Sequence, residues 1–306
     1  MTTIRLENFR GLAIKGGGVA GVSYLGCLRK WIDVGLKLEQ FSVFAGSSVG
    51  SVVASFLALR ASLQFMEEKL RSTDFSKFLD RSILSKVKDV ANMWTKYGWH
   101  SGDGLEMWVA SVVGELTGNK ELTLREAHQR YGTHLVITKT DVLYPECKLV
   151  TMDWTSHPEM TIHAAVRASS SIPFFFQAVD GRGQEEEHIF IDGGVMDNYP
   201  IECLYSLLPK EQCMGLYVTT PKRNKTSVKG RPVRSHSEFI TSILGTWTDA
   251  MMGQHISSDE WIRTCSVPTD ISAIDFSASK EKQEAAIGEG WKAMDKFIST
   301  IRSAKI

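Results

Sequence analysis

Residues 41–59 read FSVFAGSSVGSVVASFLAL, and the rest of the chain can be read outward from them. Phe41 to Ala45 carries two Phe and a Val, the composition of a short buried strand. Gly46-Ser47-Ser48-Val49-Gly50 follows and fits G-x-S-x-G, the spacing of a strand-to-helix elbow that holds a nucleophilic serine. Val52, Val53, Phe56, Leu57 and Leu59 then place apolar side chains on most sides of a helix, as in a helix buried inside an α/β protein.

The chemistry accounts for the spacing. A serine nucleophile must stand clear of the backbone where an ester carbonyl can reach it. A sharp turn achieves this but crowds neighbouring turns of chain, and glycine at Gly46 and Gly50 relieves the crowding. The helix also aims its N-terminus at Ser48, which favours negative charge developing there. Taken alone, the motif arises often by chance as a Gly/Ser loop before a helix; the flanking strand and helix are what make Ser48 the candidate nucleophile.

The chain has 306 residues, 43% of them hydrophobic, enough for one large α/β domain with a substantial core. Lys plus Arg equals Asp plus Glu at 35 each, which gives no global pull towards nucleic acid or an anionic membrane. Any membrane contact would be local and peripheral. The five cysteines, Cys27, Cys147, Cys203, Cys213 and Cys265, are scattered, and their spacing suggests neither zinc nor a disulfide framework. They read as packed, reduced thiols. The opening residues MTTIRLENFR lack an apolar signal-peptide core, and no run reaches the ~18 apolar residues of a transmembrane helix. The expectation is a cytoplasmic protein, peripheral at membranes if it meets them.

Towards the N-terminus, Leu12-Ala13-Ile14 reads as a first strand running into Gly16-Gly17-Gly18. A helix follows, with Val22, Leu25, Leu28 and Ile32 at three- and four-residue steps and a stop at Gly35. Gly16-Gly17-Gly18-Val19-Ala20-Gly21 supports two readings. It satisfies the dinucleotide fingerprint G-x-G-x-x-G, with Glu39 about where a ribose-binding acid would stand. It also suits an oxyanion loop, in which bare backbone N–H groups converge on the oxygen of a tetrahedral acyl intermediate. The serine elbow on the next strand favours the oxyanion reading, because a dinucleotide site has no need of one.

Beyond the elbow, residues 62–131 are predicted to form a helical insertion. Asp103 would cap a helix carrying Leu105, Trp108, Val109, Val112 and Leu116, and Thr123-Leu124-Arg125-Glu126 is a capping box for a short helix ending at Gly132. Its large side chains, Phe65, Met66, Phe75, Phe78, Met93, Trp94, Tyr97 and Trp99, could line an acyl-chain cavity or form a lid; for most of them ordinary packing is the simpler expectation. HLVIT at 134–138, KLVTM at 148–152 and IFI at 189–191 read as strands, and residues 160–170 as a helix that Pro173 ends. Asp192-Gly193-Gly194 follows the last of these strands. An aspartate there would sit at the carboxyl edge of the sheet, where the base for Ser48 should be, although Asp-Gly is also an ordinary turn. Residues 220–236 hold six basic side chains and no acid, and read as a solvated loop that could touch anionic headgroups. Helices are predicted at 235–254 and 279–302, giving a C-terminal helical region at about 235–306. No repeat or linker divides the chain, so residues 1–306 read as one α/β domain.

The ordered set Gly16-Gly17-Gly18-Val19-Ala20-Gly21, Gly46-Ser47-Ser48-Val49-Gly50 and Asp192-Gly193-Gly194 resembles the patatin-like phospholipase family. The context agrees: VSYLG after the glycines, ASSSIPFFF before the aspartate and DGGVMDNYPI around it, so the resemblance runs from about residue 12 to 200. It implies a three-layer sandwich, a central, mostly parallel sheet flanked by helices. It implies a lipid acyl hydrolase with a Ser–Asp dyad, Ser48 as nucleophile and Asp192 as base, and with Gly16, Gly17 and Gly18 as the oxyanion hole. It implies no metal and no other cofactor. Its substrate would be a phospholipid or acylglycerol, cleaved in the manner of a phospholipase A, and a protein activator is compatible with it but not identified. One departure is Ala20, where the family often has Arg or Lys; this bears on headgroup preference and not on the dyad. Asp is a weak base for a serine hydroxyl, its free pKa being near ~3.9, so desolvation would have to raise it. Among the eight histidines, His163 and His188 lie nearest the candidate loops in sequence, but none stands in a recognisable triad context. A non-catalytic lipid- or protein-binding adaptor of the same fold, and a dinucleotide-binding protein, are the rival readings.

Overall fold

A computed structural model describes residues 4–79, 96–143, 145–181, 185–219, 239, 242–243 and 256–303. The predicted strand ahead of the elbow is β2 (Val43–Gly46), and it pairs in parallel with β1 (Gly11–Ile14), Ile14 opposite Gly46. The further strands are β3 (Gly98–His100), β4 (His134–Asp141), β5 (Lys148–Met152), β6 (Phe174–Phe176), β7 (Val179–Gly181), β8 (Glu185–Asp192), β9 (Cys213–Thr219) and β10 (Thr264–Pro268). The main sheet runs β10-β9-β1-β2-β4-β8-β7, with β5 added on β4. Strands β10, β9, β1, β2 and β4 are parallel, whereas β5 and β8 lie antiparallel to β4. Strands β9 and β10 have no counterpart in the sequence reading. The predicted solvated loop at 220–236 and almost all of the predicted helix at 235–254 lie outside the described residues.

Alternation along the parallel strands separates two unequal faces. Leu12, Ile14, Phe44, Leu135, Ile137, Leu216 and Val218 point into the larger core, under the helices. Ala13, Val43, Ala45, Val136, Cys213 and Tyr217 point the other way, against Tyr199, Ile201 and Leu204. This is the period of two expected of strands buried on both faces. The helices are α1 (Tyr24–Asp33), α2 (Val49–Ala58), α3 (Leu63–Ser72), α4 (Asp103–Thr117), α5 (Leu124–Tyr131), α6 (Ile162–Ser169), α7 (Ser258–Ile262) and α8 (Lys280–Ser303). Helices α1 and α8 cross closely: a Cβ on Gly26 would lie 1.8 Å from the Ile287 carbonyl oxygen, and one on Gly290 would lie 1.9 Å from that of Ser23.

The insertion differs from the expected run of helices. Residues 98–100 form β3, a strand that pairs in parallel with β6 as a separate two-stranded ribbon. Helix α4 is capped by Gly102 in the left-handed region, not by Asp103, which is its first helical residue. Gly118 ends α4 at φ +79°, and the Thr123–Glu126 capping box opens α5 as the sequence led us to expect. Met93 and Trp94 lie outside the described residues.

Candidate active site

The elbow is as crowded as its glycines imply. A Cβ on Gly46 would stand 2.4 Å from the Gly50 carbonyl oxygen, and one on Gly50 would stand 2.1 Å from that of Ile14 in β1. The chain can turn here only because both positions lack side chains. Ser48, at the apex, takes φ 51° and ψ −129°, a conformation that costs a non-glycine residue ~1–3 kcal/mol and persists only where its surroundings impose it. Those surroundings are visible. The Ser48 N–H donates to Ser169 Oγ at 2.9 Å, and the Ser48 carbonyl accepts from Ser51 Oγ at 2.5 Å and from the Ser51 N–H at 2.8 Å.

Asp192 arrives from the other side. Strand β8 runs against β4, placing Asp192 opposite Lys139, two residues beyond Ile137, which pairs with Gly46. It therefore reaches the level of the elbow at the carboxyl edge of the parallel strands. Asp192 thus stands at the expected edge, but its strand runs into that edge from outside, antiparallel to β4, and not out of it. Gly193 permits this approach, since a Cβ there would lie 2.4 Å from the Thr138 carbonyl oxygen. The Asp192 backbone is pinned by its N–H to the Ser171 carbonyl at 2.9 Å and by its carbonyl to Thr140 Oγ1 at 2.9 Å.

The Asp192 side chain is only 5% exposed. Burial pushes its pKa from 3.8 up to about 6, with the Ser48 hydroxyl and the Gly194 N–H partly offsetting the shift. Oδ1 accepts from the Gly194 N–H at 2.7 Å, while Oδ2 is buried without a hydrogen-bond partner among the described residues. The Ser48 hydroxyl is thus close enough to favour the carboxylate but does not make a formed hydrogen bond to it. In apo sites such bonds are often long and tighten when substrate binds.

The three candidate oxyanion glycines are not equivalent. The Gly16 N–H already donates to the Asn198 carbonyl at 2.9 Å, and a Cβ on Gly16 would meet Asn198 Oδ1 at 2.1 Å and the Ser48 Cβ at 3.0 Å. Asn198 therefore joins this loop to the Asp192 turn, because its Oδ1 also lies 2.6 Å from where a Gly194 Cβ would be. Among the described residues the N–H groups of Gly17 and Gly18 donate to no carbonyl. Gly18, at φ +53°, lies under the Ala273 carbonyl, which also accepts from the Val19 N–H at 3.0 Å. The dinucleotide reading does not fit this geometry. Gly18–Ser23 is a 3-10 turn, and Glu39 sits in a turn just before β2, at the opposite end of the sheet from the glycines. Ala20 is buried and offers no charge to a headgroup.

Ser48 lines an apolar cavity of about 620 Å³, a volume that counts open space at its mouth. Gly18, Val49 and Ser170 border it near Ser48, and Phe75, Phe78, Leu105 and Trp108 come from the insertion. The insertion's large side chains thus divide between roles: Phe75 and Phe78 line the cavity, Met66 is core, and Tyr97 is exposed. Phe276, from the C-terminal region, also lines it. No histidine does so among the described residues. His163 sits between Glu106 (3.1 Å) and Glu121 (3.0 Å), and His188 Nδ1 is 2.7 Å from Asp141. His236 and His255 fall outside the described residues.

Sequence reasoning missed Ser169, Ser171, Asn198, Ala273 and Phe276. The first three lie within the quoted ASSSIPFFF and DGGVMDNYPI stretches, where side-chain oxygens close to the candidate loops were the available signal. Ala273 and Phe276 carried none.

Comparison with known proteins bears on the family and the fold. The patatin-like phospholipase family model matches residues 12–205, which contain the glycine loop, the elbow and the Asp192 turn. YqhO of Bacillus subtilis (strain 168) is 26% identical over 296 residues, spanning 92% of this chain and 96% of that protein. Triacylglycerol lipase 4 of Saccharomyces cerevisiae is 26% identical over 226 residues, 68% of this chain and 24% of that one. Among solved structures, VipD from Legionella pneumophila superposes with a TM-score of 0.61 at 15% identity, over 95% of this chain and 67% of that chain, a likeness of fold. This chain belongs to the patatin-like phospholipase family.

Proposed function

We propose that the protein hydrolyses fatty acyl esters of phospholipids or acylglycerols through an acyl-Ser48 intermediate, with Asp192 as base. The observation that carries this reading is a strained serine, lining an apolar cavity, beside a buried carboxylate with one oxygen unpartnered among the described residues. Asp192 Oδ2 takes the Ser48 hydroxyl proton as Oγ attacks the ester carbonyl carbon. The carbonyl oxygen gains negative charge and is met by the N–H groups of Gly17 and Gly18, each such donor being worth ~3 kcal/mol in the transition state. Collapse of the intermediate expels the alkoxide, which takes the proton from Asp192. A water then repeats the sequence on the acyl-enzyme, releasing the fatty acid and restoring Ser48. The raised pKa of Asp192 narrows the gap between base and hydroxyl while leaving it mostly ionised at neutral pH. The apolar cavity suits an acyl chain, and cleavage of one acyl ester from a phospholipid is a phospholipase A reaction.

A long-chain fluorophosphonate probe tests the nucleophile. The native protein should be labelled on Ser48, and Ser48→Ala should not. Labelling that persists in Ser48→Ala removes the assignment. Lipid binding without ester cleavage, unchanged in Asp192→Asn, would point instead to a non-catalytic adaptor.

A further inference from the structure

Helix α6 ends at Ser169, the first of three consecutive serines, and two of the three have evident structural duties. Ser169 Oγ accepts the Ser48 N–H at 2.9 Å, and the Ser171 carbonyl accepts the Asp192 N–H at 2.9 Å. Ser171 Oγ is itself engaged, 2.6 Å from Arg167 Nη1 and 2.9 Å from the Arg167 carbonyl oxygen, to which it donates. The backbone around Ser170 is fixed too, its N–H donating to the Val166 carbonyl at 3.0 Å. Its side chain is the exception. Ser170 is 4% exposed, and its Oγ is buried without a hydrogen-bond partner among the described residues.

A buried hydroxyl without a partner forfeits its desolvation energy, so alanine in its place would be expected to serve the fold better. Ser170 lines a cavity, but its Oγ has almost no accessible surface, so contact with a ligand would take a turn of the side chain about χ1. The cavity is the apolar one that Ser48, Gly18 and Val49 also border, and the residue before Ser170 in sequence holds the Ser48 N–H. An acyl chain offers no acceptor; its ester group does. One of the three expected oxyanion donors, the Gly16 N–H, is already committed to Asn198, leaving room for another donor near the carbonyl.

We propose that Ser170 is a substrate-contacting residue whose hydroxyl donates to the carbonyl oxygen of a bound acyl ester. The inference rests on the hydrolase reading for its ligand class, but recognition of the ester can be tested without cleavage. No bond is made or broken by Ser170: it donates one hydrogen bond on binding and keeps its proton throughout.

The experiment compares two lysophosphatidylcholines below their micelle concentration, one carrying a hexadecanoyl ester and the other a hexadecyl ether that lacks the carbonyl. In the Ser48→Ala protein, which cannot turn over, the ester should bind more tightly than the ether. Adding Ser170→Ala should cost about tenfold in ester affinity, the worth of a good hydrogen bond, and leave ether affinity unchanged. With Ser48 intact, Ser170→Ala should lower kcat/KM at least about tenfold and hold or raise Tm, since a burdensome hydroxyl has been removed. Binding of neither lipid, equal affinity for both, or an ester preference that survives Ser170→Ala each overturns the proposal. If the wild type cleaves no ester but Ser170 still governs ester preference, the hydrolase reading fails and this contact stands.

Discussion

Two aspartates in contact with the ends of strand β4 have opposite fates. At its start, Asp153 is surrounded by donors. Its Oδ1 accepts from the Thr155 N–H (2.8 Å) and hydroxyl (2.7 Å) and from the Ser156 N–H (2.8 Å) and hydroxyl (3.0 Å), and its Oδ2 from His134 Nε2 (3.1 Å). The tautomer follows from the neighbours: Trp154 Nε1 donates to His134 Nδ1, so Nε2 carries the proton. Burial alone would raise the Asp153 pKa, but these bonds outweigh it and hold the group far below the usual carboxylate range. Near the other end, Asp192 has one backbone N–H and more complete burial, and its pKa moves up to about 6. The same side chain is an anchor in one place and a candidate base in the other, and the depth of burial together with the number of donors around it makes the difference.

The largest effect should come from replacing each carboxylate by its amide. Asp192→Asn should lower turnover at least about 10³-fold, the scale of lost general-base catalysis. It should also make the protein more stable at pH 7. The folded pKa of Asp192 lies above the unfolded one, so the unfolded chain releases this proton first. Stability therefore falls as pH rises from about 4 to about 6, by up to ~3 kcal/mol for a shift of two pH units. Thermal unfolding should show Asp192→Asn gaining at neutral pH and losing that gain below about pH 4. Asp153→Asn should behave in the reverse way, keeping turnover and losing about 1 kcal/mol at pH 7, a figure reduced for the partial exposure of the site. Equal effects of the two substitutions on turnover would abolish the distinction.

Gly50→Ala comes next. The new Cβ would stand 2.1 Å from the Ile14 carbonyl, backbone against backbone, so β1 and the elbow must separate. We expect a loss of several kcal/mol in stability, on the scale of severe overpacking, and loss of phosphonate labelling. Gly118→Ala is the control. That glycine has a positive φ, which Gly50 does not, and open space around it, so only the backbone strain of ~1 kcal/mol should appear, with labelling retained. Urea unfolding of the two variants separates a crowded elbow from a merely strained turn.

The elbow, the glycine loop and the Asp192 turn were legible because each is local: a strand, a turn with glycine at fixed offsets, and a helix or second turn. Parallel pairing aligns the glycine loop and the elbow at one edge, whereas Asp192 reaches that edge on a strand antiparallel to β4. What could not be read was whatever depends on a distant partner. That the Gly16 N–H is taken by Asn198, that Gly18 lies under Ala273, and that Ser169 holds the elbow are contacts across long stretches of sequence with no periodic signal. Strands β9 and β10 were missed because Cys213–Thr219 and Thr264–Pro268 mix Gly, Thr, Ser and Cys with their apolar residues. Strand β3 was missed because three residues beside a helical stretch carry no alternation to detect. The two aspartates show the same limit: the residues beside Asp153 and Asp192 in sequence do not reveal how deeply each carboxylate is buried or how many donors surround it.

A third measurement follows the titration directly. If Asp192 must be ionised to accept the Ser48 proton, kcat/KM on a short soluble ester should fall tenfold per pH unit below about 6 and flatten above it. Asp153 is already ionised across that range and should leave no limb, so the Asp153→Asn profile should overlie that of the wild type. A limb that stays near pH 6 in Asp192→Asn, on its residual activity, would assign the titration to another group.

The smallest effect concerns the cavity wall. Phe78 is buried, packs against Phe75 and Trp108, and lines the same cavity as Ser48. Phe78→Leu keeps the wall apolar but gives up ring volume, at a stability cost of about 1 kcal/mol. The space gained lies along the path of an acyl chain, so the preferred chain should lengthen by about one or two methylenes, each worth up to ~0.8 kcal/mol of burial. Relative kcat/KM over a series of acyl lengths reads this as a few-fold gain for longer chains. The acid limb should stay near pH 6, because Phe78 contributes no donor to Asp192, and the stability profile set by Asp153 should not change. A limb that moved down with the substitution would mean that water entering past Phe78 reaches Asp192, making the dryness of the acyl cavity part of the burial that raises its pKa.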